Sequence, residues 1–233
     1  MSTTPTHDSL STMDVGIVGG TGPAGRALGA RLASVGFEVV IGSRSAERAQ
    51  EIVDEIHKKW PDRDLALVPA ANAVAASAPL VVLATPWDAA ADTAASLRAE
   101  LVGKVVVSMG NALAKVDGEL RAVVPPGGSV AAGVQAALPE SLVSAAFHHL
   151  PARALGDLDR PATGDVLICS DHPEATRATA ELVRRLADLR PFDAGSLAAA
   201  GPVEAFTAVL LGLNARYKGR ATIHLTGIDD SPR

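Results

Sequence analysis

Cysteine is nearly absent: Cys169 is the single one in 233 residues, which excludes an intrachain disulfide and a cysteine-built metal cluster. Aromatic side chains make up only 3% of the chain, too few for the stacking platforms of RNA- and single-strand-binding proteins. Positive charge is not in excess either. Lys and Arg number 21 against 26 Asp and Glu, a net charge of −5, which argues against broad nucleic-acid or anionic-membrane surfaces while leaving room for a local basic pocket. Charged residues reach only 20% and hydrophobic ones 48%, so global disorder is excluded. The apolar runs are broken by charge, Gly or Pro before the roughly 20 residues that a membrane-spanning helix needs. MSTTPTHDSLSTM (residues 1–13) has no basic or apolar region of the signal-peptide kind and reads as a flexible tail. The expectation is a cytoplasmic protein with small-molecule partners and neither nucleic acid nor membrane.

What is present is alternation. Asp14 to Gly19 is a short β-branched run ending in glycine, and Pro23 to Val35 carries Leu28, Leu32 and Val35 on one helical face before Gly36 stops it. Glu38 to Ile41 reads as a second strand, and Ser45 caps a helix running to about Trp60 with an Asp54–Lys58 pair one turn apart. Further strands are expected at Leu65 to Val68, Leu80 to Ala84 and Lys104 to Met109, separated by helices at about 72–77 and 88–101. This order predicts α/β architecture, a Rossmann-type doubly wound parallel sheet. After Pro125-Pro126-Gly127-Gly128 the rhythm changes: helix at Val130 to Ala137, strand at Leu142 to Phe147, strand at Asp165 to Cys169, and helices at Pro173 to Leu189 and Ser196 to Tyr217. We therefore expect a Rossmann domain over residues 14–147 and a smaller α+β domain over 148–233 that closes the cleft and shares its core.

Gly20, Gly22 and Gly25 form G-x-G-x-x-G directly after the first strand and at the head of a helix. The spacing serves a tight turn, close approach to a pyrophosphate, and helix-on-strand packing. Thr21 adds a hydroxyl, Pro23 occupies a helix position whose N–H would be unpaired anyway, and Ala24 lies in the first turn, whose amides and dipole favour an anion. An NAD site carries an acidic residue about 20 residues further on, at the end of the second strand. Here the sequence reads Gly42-Ser43-Arg44-Ser45-Ala46-Glu47-Arg48. A hydroxyl and two guanidinium groups suit a 2′-phosphate, so NADP is expected over NAD. His148-His149 invites a catalytic reading, against one satisfied and one solvated histidine. Cys169 reads as a small core residue, and Trp87 fits cleft wall and core equally. Asn214 to Arg220 is a basic run, a helix end or a steering patch.

GGTGPAG (19–25), GSRSAER (42–48), Ala84-Thr85-Pro86-Trp87 and SAAFHHLPA (144–152) together resemble the NADPH-dependent coenzyme F420 reductases. The resemblance continues through LRPFDAG (189–195), Val203 to Thr207 and Asn214 to Gly227, nearly everything after the tail. It implies a homodimeric oxidoreductase that moves hydride between NADP(H) and the deazaflavin coenzyme F420. It also implies that Thr21 to Ala24 hold the pyrophosphate, and that Ser43, Arg44 and Arg48 take the 2′-phosphate. Thr85, Met109 and Asn111 would border the nicotinamide, Ala152 would meet its amide, His148 would sit at the deazaflavin, and Ala221, near the C-terminus, is a further cofactor-site carry-over. No side chain is expected to act as acid or base, because the cofactors carry the hydride. His149 replaces the Thr of some relatives, and Arg153-Ala154 reverses their order. A non-catalytic NADPH sensor, or another NADP-dependent reductase of small substrates, would share the glycine turn.

Overall fold

The β-branched runs form strands because both of their faces are covered, so no polar position interrupts them. A computed structural model of the chain describes residues 14–229, and the expected tail lies outside them. The strands are β1 (Val15–Val18), β2 (Val39–Ser43), β3 (Leu67–Ala71), β4 (Leu80–Leu83) and β5 (Val105–Ser108). A hairpin follows, β6 (Leu113–Val116) and β7 (Glu119–Ala122), and then β8 (Leu142–Ala145), β9 (Gly164–Ser170) and β10 (Leu189–Asp193). All but the hairpin join one eight-stranded sheet in the order β10-β9-β8-β5-β4-β1-β2-β3. The six strands from β3 to β8 are parallel, β9 runs antiparallel to β8, and β10 parallels β9. Residues beyond 147 thus extend the sheet of the first half. Val15 pairs with both Val39 and Leu80, a register that brings the carboxyl ends of β1, β2 and β4 to one edge.

The helices are α1 (Pro23–Ala33), α2 (Ala46–Lys59), α3 (Asn72–Ala76), α4 (Ala90–Ser96), α5 (Arg98–Leu101), α6 (Val130–Ala137), α7 (Ala152–Leu155), α8 (Pro173–Arg184) and α9 (Ala200–Tyr217). Side chains alternate across the sheet, as a period of two requires. Ile17, Val82 and Val107 join the core under α1, α2 and α8, while Val81, Leu83 and Val106 join a second core with Ala94, Val134 and Leu138. Both faces are therefore covered. Ser45 caps α2 as expected, its hydroxyl accepting the Arg48 N–H at 3.2 Å, but Asp54 accepts from Gln50 at 2.9 Å and forms no ion pair with Lys58 among the described residues.

Several elements depart from expectation: β3 begins two residues late and runs to Ala71, and the helix expected over about 88–101 is broken at Leu97 into α4 and α5. The helix expected to reach Leu189 ends at Arg184, and Leu189–Asp193 is a strand. Leu182, Val183, Leu186 and Leu189 keep helical spacing through the turn, and Pro191 argues against a strand unless that strand lies at a sheet edge, as β10 does. The hairpin was also unexpected, although Asp117-Gly118 at its turn has positive φ at both residues (52° and 84°), the two-residue turn that Asp-Gly favours. Against the expectation from its broken apolar runs, the 197–217 segment is long and apolar enough by length and composition to cross a membrane, and 28% of an 18-residue apolar stretch within it is buried. On its buried side Glu204 accepts the N–H groups of Val130 (2.8 Å) and Ala131 (3.2 Å), which fastens α9 to the head of α6.

Candidate functional site

The site grows from the end of β1. Gly19 has φ +72°, and Gly20 donates to Ile17 O and to Gly42 O at 2.8 Å, which fastens the turn to the end of β2. A Cβ on Gly25 would stand 2.8 Å from Gly20 Cα and 3.1 Å from Ala84 Cβ, so only glycine lets α1 come this close. Gly22 is the N-cap of α1 and supplies no side-chain cap, and the first helical bond is Arg26 N–H to Gly22 O. The amides of Ala24 and Gly25 precede it and have no acceptor in the helix, the donor set that an anion accepts. Asn72 holds the turn from the other side, its Oδ1 accepting the Gly19 N–H at 3.0 Å. Sequence reasoning missed Asn72, because no local motif ties the head of α3 to a glycine 53 positions away.

At the end of β2, Ser43 is buried and its hydroxyl accepts the Ser45 N–H at 3.3 Å, which leaves its own hydrogen to donate. Arg44 and Arg48 are exposed beside it. Arg48 is paired with Glu51 at 2.7 Å, both half or more exposed. Glu47 lies in the same turn, and the hydrogen bond from Ser45 (2.6 Å) holds its carboxyl below the usual carboxylate range.

The third group lies where β4, β5 and β8 end. The Thr85 hydroxyl and Asn111 Oδ1 are buried and have no hydrogen-bond partner within the protein; the His148 ring is buried too, without a hydrogen bond of normal geometry and with the Ala146 backbone as a nearby polar influence. Asn111 is held by its other end, Nδ2 donating to His148 O at 2.8 Å, so these two residues share one local frame. Burial first, and then the neighbouring His149, lower the His148 pKa to about 3, so the imidazole is neutral. His149 is buried too, its Nε2 2.8 Å from Asp165 O, and burial lowers its pKa as well. Neither histidine is solvated; the chain has left β8 by this point, and Phe147, just before the pair, has φ 62°. Their rings meet edge to face at 5.0 Å.

Other expected residues stand nearby with different surroundings. Met109 is buried in the core that contains Ile17 and Val107, and its N–H bonds Leu83 O, so the backbone of this residue holds the edge. Ala152 opens α7 and lines the same cleft as Pro23, a space of about 550 Å³. The Ala221 N–H donates to Asn214 Oδ1, and its neighbour Arg220 pairs with Asp157 at 2.7 Å, which brings this part of the chain to the end of α7. The other members of the basic run end α9, with Lys218 in the left-handed conformation. Trp87 begins a short 3₁₀ turn and packs against the second core. Cys169 is buried on β9, and burial pushes its thiol up to about 11.

Free first-turn amides, a hydroxyl with two guanidinium groups 20 residues on, and buried unpaired polar atoms along one sheet edge fit a dinucleotide that carries an extra phosphate. The family described as NADP oxidoreductase coenzyme F420-dependent matches residues 14–112, the stretch from β1 to just past β5. The chain is 36% identical over 223 residues to the F420-dependent NADP reductase of Methanocaldococcus jannaschii, covering 93% of this chain and 100% of that enzyme. It is 32% identical over 197 residues to Metalloreductase STEAP3 of Rattus norvegicus, of which it spans only 37%. A solved structure from Arthrobacter sp. FB24, assigned provisionally to F420-dependent NADP reductases, shares the fold with a TM-score of 0.78 at 24% identity, covering 92% of this chain and 99% of that one. With that identity over the whole length of the archaeal enzyme, the chain belongs to the F420-dependent NADP reductase family.

Proposed function

We propose that this chain transfers a hydride between NADP(H) and coenzyme F420, converting NADPH and oxidised F420 to NADP⁺ and reduced F420 and the reverse. The observation that carries the reading is the pair of buried, unpaired polar atoms on Thr85 and Asn111 beside the open amides of α1. Each such atom costs about 1–3 kcal/mol without a partner, so a ligand that supplies partners is favoured there. When bound, the nicotinamide and the deazaflavin supply the hydride donor and acceptor.

The residues bind and orient. The turn from Gly20 through Thr21, Gly22, Pro23, Ala24 and Gly25 holds the pyrophosphate, and Ser43, Arg44 and Arg48 hold the 2′-phosphate. Thr85, the Met109 backbone, Asn111, Ala152 and Ala221 border the nicotinamide. His148, neutral, borders the deazaflavin side and brings no positive charge there. Residues 14–147 then form the NADP side and 148–233 the deazaflavin side of one cleft. No residue is assigned as a general acid or base, and the protein contributes alignment and exclusion of water.

The cell compartment is the cytoplasm, and the working unit is a homodimer. The outer face of α9 leaves Phe206 44% and Val209 52% exposed, and a second copy of the chain covers it. Light scattering in solution tests this, and a monomer at micromolar concentration refutes it. The decisive assay mixes purified protein, NADPH and oxidised F420 and follows the deazaflavin absorbance band, with NADH and FMN as controls. Bleaching with NADPH and not with NADH is expected. Tight NADPH binding without turnover would overturn the reductase reading in favour of an NADPH sensor.

A further inference from the structure

The 154–160 segment is held from below by three cations of the other half of the chain. Arg31, near the end of α1, donates through Nε to Leu155 O (2.9 Å) and through Nη2 to the carbonyls of Ala154, Asp157 and Arg160 at 2.5–3.2 Å. Lys59, at the end of α2, donates to Gly156 O at 3.1 Å, and Arg63 donates to Leu158 O at 2.9 Å. Of the seven carbonyls from 154 to 160, these side chains take every one except that of Asp159. That residue contributes its carboxylate to Arg63 instead (3.2 Å).

Arg31 differs from the other two. It is buried, at 8% exposure, and forms no ion pair with a carboxylate among the described residues. Burial lowers its pKa, with Asp157 the main opposing influence. Its charge is met by carbonyl dipoles at the end of α7, where a helix leaves its last carbonyls unpaired. An apolar side chain would fill such a position without the desolvation cost, so packing alone does not account for an arginine. The segment it grips also lies directly on α1: a Cβ on Gly156 would stand 3.2 Å from Ala27 Cβ.

This grip has one geometrical consequence. The head of α1 is the glycine turn, and the head of α7 is Ala152. Arg31 ties the far ends of these two short helices together, about 12 Å along α1 from Pro23 at the usual rise. Asp157, whose carbonyl Arg31 also holds, pairs with Arg220 beside Ala221. We propose that Arg31 is a positioning residue that sets the spacing between the pyrophosphate turn and the Ala152–Ala221 wall, and thereby the place of the nicotinamide relative to its own phosphates. The inference rests on the NADP reading given under Proposed function.

The test uses the full chain with Arg31→Met and Arg31→Lys. Two ligands are titrated, NADPH and 2′,5′-ADP, which has the 2′-phosphate end and no nicotinamide. Trypsin cleavage after the exposed Arg153 reports whether the segment has come loose. Both variants are expected to lose NADPH affinity by about tenfold or more, since ångström-scale misplacement is costly. They should keep 2′,5′-ADP affinity within about threefold, because Ser43 to Arg48 are remote from the change. Cleavage after Arg153 should accelerate at least several-fold, and Lys should recover thermal stability without recovering NADPH affinity. If NADPH and 2′,5′-ADP weaken together, or neither weakens, Arg31 is structural only and the proposal fails. Should the Met variant not fold, Arg31→Lys and Lys59→Met carry the same affinity ratio. A wild type that binds NADPH but does not reduce F420 would sink the reductase reading while leaving this ratio measurable.

Discussion

Arg48 offers the sharpest test of cofactor choice, because its present partner is weak. It donates to Glu51 at 2.7 Å, with the two side chains 51% and 62% exposed. Such surface pairs contribute about 0–1 kcal/mol, so a phosphate can displace Glu51 at little cost. A charge-assisted bond to a 2′-phosphate contributes about 1.5–3 kcal/mol, equivalent to roughly 10- to 150-fold in affinity. Arg48→Ala should therefore weaken NADPH binding by about one to two orders of magnitude, leave NADH binding unchanged, and cost no more than about 1 kcal/mol in stability. Glu51→Gln removes the competitor and a nearby negative charge, and should tighten NADPH by a few-fold, more at low salt than at high. Nicotinamide fluorescence titration at two ionic strengths reads all of these. Equal weakening of NADPH and NADH by Arg48→Ala, or no weakening of either, would refute the assignment of Arg48 to the 2′-phosphate.

Gly25→Ala places a methyl 2.8 Å from Gly20 Cα, so the turn must move; a loss of about 1–3 kcal/mol in urea unfolding is expected, together with most of the NADPH affinity. Burial pushes the Glu204 carboxyl up to about 7 despite its two N–H donors. The folded state therefore binds the proton more tightly than the unfolded one, and this contribution, present at acid pH, fades as pH rises from about 4.5 through 7; Glu204→Gln should remove up to about 3 kcal/mol of that slope in unfolding measured against pH. His148 acts in the opposite sense: with a folded pKa of about 3 against 6.5 unfolded, stability holds above pH 6.5 and falls as pH drops toward 3, and His148→Gln should flatten that limb. Arg190→Met leaves the fully buried Asp165 without the guanidinium that bonds both of its oxygens (2.7 and 2.8 Å), and a loss of about 3–5 kcal/mol is expected; Arg190→Met combined with Asp165→Leu should lose less.

The parts of the fold legible in the sequence are those whose cause is local. β1, α1 and the turn between them follow from a β-branched run, three spaced glycines and a proline tolerated only at a helix head. The Ser45 cap of α2 is a local signal that the structure repeats, the hydroxyl accepting the Arg48 N–H. β10 was hidden because its apolar residues keep helical spacing with those of α8, and only a position at the sheet edge makes Pro191 acceptable in a strand. The site divides the same way. Its residues at strand ends could be named, but their states could not: His148 and His149 lie beyond the end of β8, where strand alternation no longer says which side chain is buried. Asn72 and Arg31 were invisible, since each acts on backbone groups 53 and 123 or more positions away, and a carbonyl leaves no mark on the sequence.

That contrast bears on why the site tolerates its own cost. Thr85 and Asn111 bury polar atoms that the protein does not satisfy, a penalty of about 1–3 kcal/mol per group. Side chains in such a state would relax toward one another or toward water if their backbones could move. Here they cannot move far. Thr85 follows Ala84, whose N–H is bonded to Val18 O, Met109 N–H is bonded to Leu83 O just before Asn111, and Asn111 Nδ2 holds the carbonyl of His148. The long-range bonds from Asn72 and Arg31 do the same for the glycine turn and for α7. Rigid backbone around unpaired side chains is what holds those atoms available for a ligand. Loosening that frame should therefore impair binding before it impairs folding.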